Sequence, residues 1–331
     1  MEQVSVEHVG AVGVGQVWQR ARERRGWGEV WRKLRRDRFY YLLAALPLLY
    51  FLVFHYLPMF GIIIAFKDYQ PWRGVAGILT LDDWVGLTHF RNFVSSIFFW
   101  NVMRNTLMIS IQKLIFGFPA PIILALLINE ARNSVFKRSV QTISYLPHFF
   151  SMAVVAGMVR AMLSVQGGLL NQLVVALGGE PRAFLTEPGL FQGILVGSSI
   201  WHEMGWSSIL YLAAMSQINP ELYEAAMIDG AHKLQQMRYI TLPGISFVIA
   251  ITLILRIGRL LDAGFEQILL LYSPAVYQVG DIIDTYVYRA GLLGRQYSYG
   301  AAVGLFKSVL ALALLLAANK VAKKVGQPGI W

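Results

Sequence analysis

Ionisable side chains inside long apolar runs include His202, Glu203, Arg256, Arg259, Asp262, Glu266 and Lys307. A charge at hydrocarbon depth is costly, and such groups are kept where they face a bundle interior or a water-filled cavity. Arg256 and Arg259 are three residues apart and share one face of a helix, which Asp262 and Glu266 extend. Two guanidinium forks aimed into a pathway suit carboxylates, which they grip through two parallel hydrogen bonds. The competing reading is a structural network in which Glu203 or Asp262 neutralises the arginines. At 1.5 Å per residue Arg256 lies about 20 Å beyond Pro243, and Glu203 is comparably deep in its own helix, so the groups occupy similar levels.

Arg160 and the pair His148 and Phe149 are weaker candidates, since a lone histidine on an apolar helix is usually a packing residue. Trp201, Trp206, Tyr211, Phe265 and Tyr272 could stack on a planar ligand, although aromatics at helical spacing mostly pack a bundle. An intramembrane enzyme would draw on His202 with Glu203, or on Asp281 with Asp284. Neither an HExxH pair nor a Gly-x-Ser-x-Gly elbow is present, and no GxxxxGK[ST] phosphate loop occurs. Without cysteine there is no thiolate metal site. No catalytic residue, metal site or cofactor is therefore assigned to this chain. An ion-coupled secondary transporter could use the buried carboxylates, but it predicts inverted repeats with broken helices, and no convincing internal repeat is visible.

The elements that must position these groups are membrane helices. Of 331 residues, 56% are hydrophobic and 15% charged, with a mean hydropathy of +0.51. That is too apolar for a soluble domain of this length. Six segments are long enough to cross about 30 Å of hydrocarbon as helices. They run near Phe39–Phe66, Val102–Ile128, Val140–Leu163, Leu190–Gln217, Gly244–Leu271 and Gly300–Ala322, with kinks expected at Pro47, Pro58, Pro119 and Pro121. The expected class is an all-α polytopic membrane protein with six transmembrane helices, forming one domain over residues 39–322.

Lys and Arg outside these spans concentrate in the N-terminal tail, the loop Asn129–Ser139, the loop Asn219–Pro243 and the C-terminal tail at 323–331. The positive-inside rule puts all four in the cytoplasm, with both termini. The net charge of +10 is thus read as topology rather than as affinity for nucleic acid. Residues 1–38 are a basic tail whose arginines interleave with Trp18, Trp27 and Trp31, suiting either a helix on anionic lipid or a solvated tail. Lys67–Asn101, Ser164–Gly189 and Tyr272–Tyr299 are then the external loops.

The longest polar interruption with helical character is Asn219–Pro243, NPELYEAAMIDGAHKLQQMRYITLP. Asn219 is a good N-cap, Pro220 suits the first helical position, and Glu221 and Glu224 meet the positive helix end. Leu222, Ala225 and Ala226 share a shallow face that a partner's groove could take. Gly230 interrupts the helix, a second short piece follows through Ile240, and Pro243 opens the next span.

The register of Glu224-Ala225-Ala226, Gly230, Ile240 and Leu242-Pro243 resembles the EAA loop of permease subunits of binding-protein-dependent ABC importers. YLPMFGIIIAFKDY (Tyr56–Tyr69), WVGLTHFRNF (Trp84–Phe93), FGFPAPIILALLINE (Phe116–Glu130), QTISYLPHF (Gln141–Phe149), GGLLNQL (Gly167–Leu173) and YSYGAAVGLFKS (Tyr297–Ser308) extend the resemblance. It reaches from about Tyr40 to Trp331 and looks like the MalF/MalG-type carbohydrate permeases, within the LplB-like oligosaccharide and polysaccharide subgroup.

The resemblance implies a type I ABC importer permease fold in a bacterial cytoplasmic (inner) membrane. It implies a second homologous permease subunit, two cytoplasmic ATP-binding subunits that hold ATP and Mg, and an extracytoplasmic solute-binding protein. Glu224, Ala225, Ala226, Asp229 and Gly230 are carried over as ATPase-coupling positions. The substrate path is expected to use Arg256, Arg259, His202, Glu203, Glu266 and Lys307. With two arginines facing the path, the expected cargo is an acidic oligo- or polysaccharide such as a uronate, alginate-like polymer, moved by alternating access; a neutral oligosaccharide is the alternative.

Overall fold

The computed structural model describes residues 31, 35–80 and 82–324, with the Ala322 side chain set aside. The tail reading for residues 1–30 and most of the C-terminal tail lie outside the described residues. The chain divides into two compact units, Met1–Gly61 and Ile62–Trp331. In the first, helix α1 (Arg38–Phe51) contains Pro47 and runs through a π turn, Leu52–Tyr56, into Leu57–Met59. Pro58 offers no N–H to the carbonyl four residues before it, and the wider turn just ahead absorbs that loss.

The second unit is built on α2 (Phe99–Gly117), α3 (Pro119–Glu130), α4 (Ser134–Tyr145), α5 (Met152–Leu163) and α6 (Pro188–Met215). After these come α7 (Pro220–Ile228), α8 (Ser246–Gly258), α9 (Phe265–Leu271) and α10 (Tyr297–Lys324). Three apolar clusters tie them together. One joins Ile109, Ala156, Phe191, Leu195 and Ile268; a second joins Phe93, Val102, Tyr286 and Val303; the third packs Ile122, Ala125, Tyr211 and Ile245.

Among the described residues, three helical stretches are long and apolar enough to cross a membrane: Arg38–Phe66, Phe99–Glu130 and Tyr297–Val321. The number rises to five when each of two bent pairs counts as one passage. Helix α6 is long enough at 28 residues, about 42 Å. Its Gln192, Ser198, Ser199, His202 and Glu203 lower its apolarity, and it packs against α2, α3 and α4. Six passages are compatible with this arrangement, but two of the expected straight courses are broken or displaced.

The expected span Val140–Leu163 bends by 105° between Phe149 and Met152. Pro147 sits in a 3-10 turn, Phe150 is extended, and Ser151 starts α5 as an N-cap whose hydroxyl accepts from the Val154 N–H at 3.4 Å. Residues 134–139, expected as loop, are already helical because Asn133 caps α4 through the N–H groups of Val135 and Phe136. The expected span Gly244–Leu271 ends as a helix at Gly258 and resumes only at Phe265. Between them Gly264 has φ +93°, a left-handed conformation that side chains with a Cβ adopt at a cost.

Candidate functional site

The break in the fifth passage makes the site. A cavity of about 520 Å³ is lined by Ser110, Lys113 and Leu114 of α2, Met152 of α5, and Ser199, His202 and Glu203 of α6. The remaining wall comes from Arg256 at the end of α8, the connector with Arg259, Leu260, Asp262 and Gly264, and Phe265, Glu266 and Gln267 of α9. Five of the six residues expected on a substrate path, Arg256, Arg259, His202, Glu203 and Glu266, therefore meet in one place.

Their route there differs from the expected one. Arg259, Asp262 and Glu266 do not continue one helical face, since α8 has ended; turns from Arg259 N–H to the Arg256 carbonyl (3.1 Å) and Asp262 N–H to the Arg259 carbonyl (2.9 Å) carry the connector instead. The connector is held by Lys113, whose Nζ donates to the Ala263 carbonyl (2.8 Å) and to Gln267 Oε1 (2.6 Å). Gln267 in turn donates to the Leu195 carbonyl (2.9 Å) and Ser198 Oγ (2.8 Å) on α6. A Cβ at Gly264 would lie 2.6 Å from Lys113 Nζ, so glycine there serves both the backbone and the lysine.

Lys113 was not among the expected residues. The rule that singled out the others, a charge within an apolar span, applies to it equally, and it stands in the middle of the second expected span.

The two readings of the arginines differ in whether a carboxylate pairs with them. Among the described residues no carboxylate lies within 4.0 Å of Arg256 or Arg259. Glu203 turns instead to histidines: its Oε1 is 2.9 Å from His202 Nδ1 and its Oε2 is 3.6 Å from His148 Nδ1. His148 stacks on Trp206 with centroids 4.8 Å apart and planes 6° from parallel.

Lys307 belongs to a neighbouring cavity of about 630 Å³, which shares Asp262 and Phe265 with the first and adds Asp284, Tyr288 and Tyr297. Its ammonium is held by both oxygens of Asp284, at 2.6 and 2.7 Å. Asp281 is clamped by the Arg289 fork at 2.6 and 3.1 Å and accepts from Thr285 Oγ1 at 2.8 Å. The two aspartates considered for an intramembrane enzyme are thus each committed to a cation.

Several weaker candidates have partners within the chain: Arg160 donates to the Leu270 carbonyl, Tyr211 pairs with Thr252 Oγ1 at 3.0 Å, Tyr272 lies against Tyr277, and Phe265, which lines both cavities, lies against Tyr288. Trp201 stands apart from the charged cavity, in an apolar groove with Met158 and Met162.

The polar loop folds as its sequence predicts. Asn219 Oδ1 accepts from the Glu221 N–H at 3.1 Å, α7 follows, and Gly230 turns the chain with φ +79°. Tyr223 points inward, its hydroxyl 2.9 Å from Thr241 Oγ1, and Lys233 reaches Glu130 Oε2 at 3.0 Å. Glu221, Leu222, Glu224, Ala225, Met227 and Ile228 are left exposed on the outer side, Ile228 at 87%, while Ala226 is half-buried. A π turn, Met237–Thr241, precedes Leu242-Pro243, as one precedes Leu57-Pro58 in the first unit.

Apolar helices around a charged cavity, with a polar loop helix anchored to their ends, are the arrangement of a membrane permease. Residues 117–327 match the family of binding-protein-dependent transport system inner membrane components, and the chain belongs to that family. It is 46% identical to the protein LplB of Bacillus subtilis (strain 168), over 90% of this chain and 92% of that one. The polygalacturonan/rhamnogalacturonan transport system permease protein YteP of the same organism is also 46% identical, with the same coverage.

In three dimensions the chain is similar to a chain of a bacterial ABC transporter involved in the import of the acidic polysaccharide alginate. The TM-score is 0.83 at 42% identity, covering 89% of this chain and 99% of that one. A second such structure, of a bacterial alginate ABC transporter in complex with an alginate pentasaccharide-bound periplasmic protein, gives 0.83 at 41% identity, over 91% and 99%. The chain is accordingly a permease subunit without an ATPase site of its own, and its fold is the type I permease fold.

Proposed function

We propose that this permease subunit imports an acidic oligo- or polysaccharide, with Arg256 and Arg259 receiving the carboxylates of the sugar as it passes the cavity. One observation carries the reading: the two guanidinium groups line a cavity among the apolar helices with no carboxylate within salt-bridge distance among the described residues. Arg256 is half-buried and Arg259 exposed; a half-buried cation without an internal counter-ion is costly unless an anion or water meets it in use. Relatives named for polygalacturonan and for alginate transport support the same cargo chemistry.

In this reading a second permease subunit completes the path, an extracytoplasmic solute-binding protein delivers the sugar, and two cytoplasmic ATPases supply ATP and Mg. The exposed side of α7, with Glu224, Ala225, Asp229 and Gly230, docks in the ATPase, and both chain termini lie on that cytoplasmic side. Closure of the ATPases then moves α7. The Lys233–Glu130 and Tyr223–Thr241 contacts pass that motion to the ends of α3 and α8, and the path alternates between its two openings. A neutral oligosaccharide is the second reading, favoured by the carboxylates of Glu203, Asp262 and Glu266 in the same cavity, which suit hydroxyl donors.

The deciding experiment is ATPase activity of the reconstituted complex, with its binding protein, across uronate and neutral oligosaccharides. Stimulation by uronates alone is the expected result. Equal or greater stimulation by neutral sugars would transfer the assignment to the second reading.

A further inference from the structure

Three side chains, two of them lining the cavity, converge around a buried nitrogen, His148 Nδ1, that has no hydrogen-bond partner. His148 stands on the elbow between α4 and α5, and His202 and Glu203 are adjacent on α6. The ligand atoms that the three offer lie within 4.8 Å of one another.

His202 Nε2 is 3.3 Å from the Phe150 carbonyl. A carbonyl accepts only from an N–H, so in the neutral tautomer that makes this bond the proton is on Nε2 and Nδ1 is bare. That Nδ1 faces Glu203 Oε1 at 2.9 Å. Two acceptors at this separation repel unless a proton or a cation stands between them. His148 Nδ1 repeats the situation: it is buried, has no hydrogen-bond partner, and looks at Glu203 Oε2 from 3.6 Å. Stacking on Trp206 holds the His148 ring in that orientation.

We infer that His148, His202 and Glu203 form a three-ligand site for a divalent transition-metal ion of the zinc type. Two imidazole nitrogens and one carboxylate are a zinc donor set, with bonds of about 2.0–2.2 Å. Glu203 Oε1 is 2.9 Å from His202 Nδ1 and Glu203 Oε2 is 3.6 Å from His148 Nδ1, close to the ~3.4 Å between ligand atoms that such bonds give around a tetrahedral ion. Magnesium and calcium, which prefer oxygen donors throughout, fit poorly. The bond from His202 Nε2–H to the Phe150 carbonyl is the outer contact that orients a metal-bound imidazole. Three protein ligands leave a fourth position for water or a solute oxygen, and His202 and Glu203 both line the cavity where solute would pass. Lys113 and Arg256 line the same cavity and oppose another positive charge, which weakens binding below that of a closed structural zinc site.

The test uses the full chain within its purified transporter complex, stripped with chelator and titrated with Zn2+ alone, with metal counted by mass spectrometry after gel filtration. One zinc ion per copy of this chain is expected. His148→Ala and Glu203→Gln should each weaken binding at least tenfold, while His55→Ala in the first unit leaves it unchanged. Should a variant aggregate, Co2+ bound to the wild-type complex gives an independent reading, since four-coordinate cobalt with nitrogen ligands has intense visible bands and six-coordinate adventitious cobalt does not. No zinc retained by the wild type, binding that survives the double change His148→Ala and Glu203→Gln, or only six-coordinate cobalt would overturn the site and leave a shared proton between His202 and Glu203.

Discussion

Two neighbouring regions of the second unit carry comparable charge and treat it in opposite ways. Around the second cavity every cation named has its anion: Arg289 clamps Asp281 through two hydrogen bonds, and Lys307 sits on both oxygens of Asp284. In the first cavity Arg256 and Arg259 have no such partner among the described residues, although Glu203, Asp262 and Glu266 line the same wall. Paired charges fix the link between the helices from Ile283 to Leu293 and α10. Unpaired ones are available to something that enters. The contrast separates architecture from function more sharply than burial does, and it can be broken in graded steps.

The largest stability effect is expected from Asp281→Ala. Asp281 is 2% exposed, so its loss leaves Arg289 without its fork partner and Thr285 with only the Ile282 carbonyl as acceptor. Removing one member of a buried pair costs about 3–5 kcal/mol, discounted here because Arg289 is 31% exposed. Thermal unfolding of the detergent-purified protein should show a drop of several degrees or loss of folded yield, with sugar preference unchanged in whatever folds. A change of preference with unaltered stability would put Asp281 in the path and blur the comparison.

A smaller loss is expected from Gly264→Ala. The left-handed backbone and the 2.6 Å approach of Lys113 together predict a cost of about 1–3 kcal/mol. Because the connector also positions Arg259, sugar-stimulated ATPase should fall with it. The matching change Lys113→Met removes the ammonium that the alanine would meet; if Gly264→Ala is milder in that background, the lysine contact is the cause, and if the two effects add, the cost is backbone strain alone.

Lowest on the scale is Glu130→Gln, which discharges the bridge to the exposed Lys233. Such a pair is worth about 0.5 kcal/mol or less, so stability should hardly move. If the bridge also transmits motion from the loop helix, the turnover of sugar-stimulated ATPase will fall while basal ATPase recruitment stays; unchanged turnover would make the contact a simple tether. Glu224→Ala, on the outer side of α7, is expected instead to weaken ATPase recruitment itself while the bundle stays folded, checked by co-purification of the ATPase subunits.

How far the sequence foretold this depends on the element. Asn219, Pro220 and Gly230 each carry a local physical instruction, so the loop helix begins and ends where those residues demand. The apolar runs foretold helices for the same reason that they cannot be anything else in a membrane. The break after Gly258 was hidden because Leu260, Leu261, Ala263 and Phe265 keep the run apolar through it, and the one local sign was Gly264. The bend at Phe149–Met152 was signalled by Pro147 and Ser151, which were read as interior to a span. The arginines were found by their cost in a membrane, whereas Lys113, equally costly, was passed over. Which charges pair cannot be read from spacing along one helix, because Asp284 meets Lys307 and Glu203 meets His148 by tertiary packing.

The most direct measurement is uptake of a radiolabelled uronate oligosaccharide by the reconstituted complex carrying Arg256→Gln and Arg259→Gln together. Each lost charge-assisted bond is worth about 1.5–3 kcal/mol. Uptake at limiting sugar should therefore fall about 100-fold or more, with thermal stability unchanged because neither arginine holds an internal partner. Undiminished uptake, or a loss matched by unfolding of the bundle, would contradict the claim that these two charges are left unpaired for the cargo.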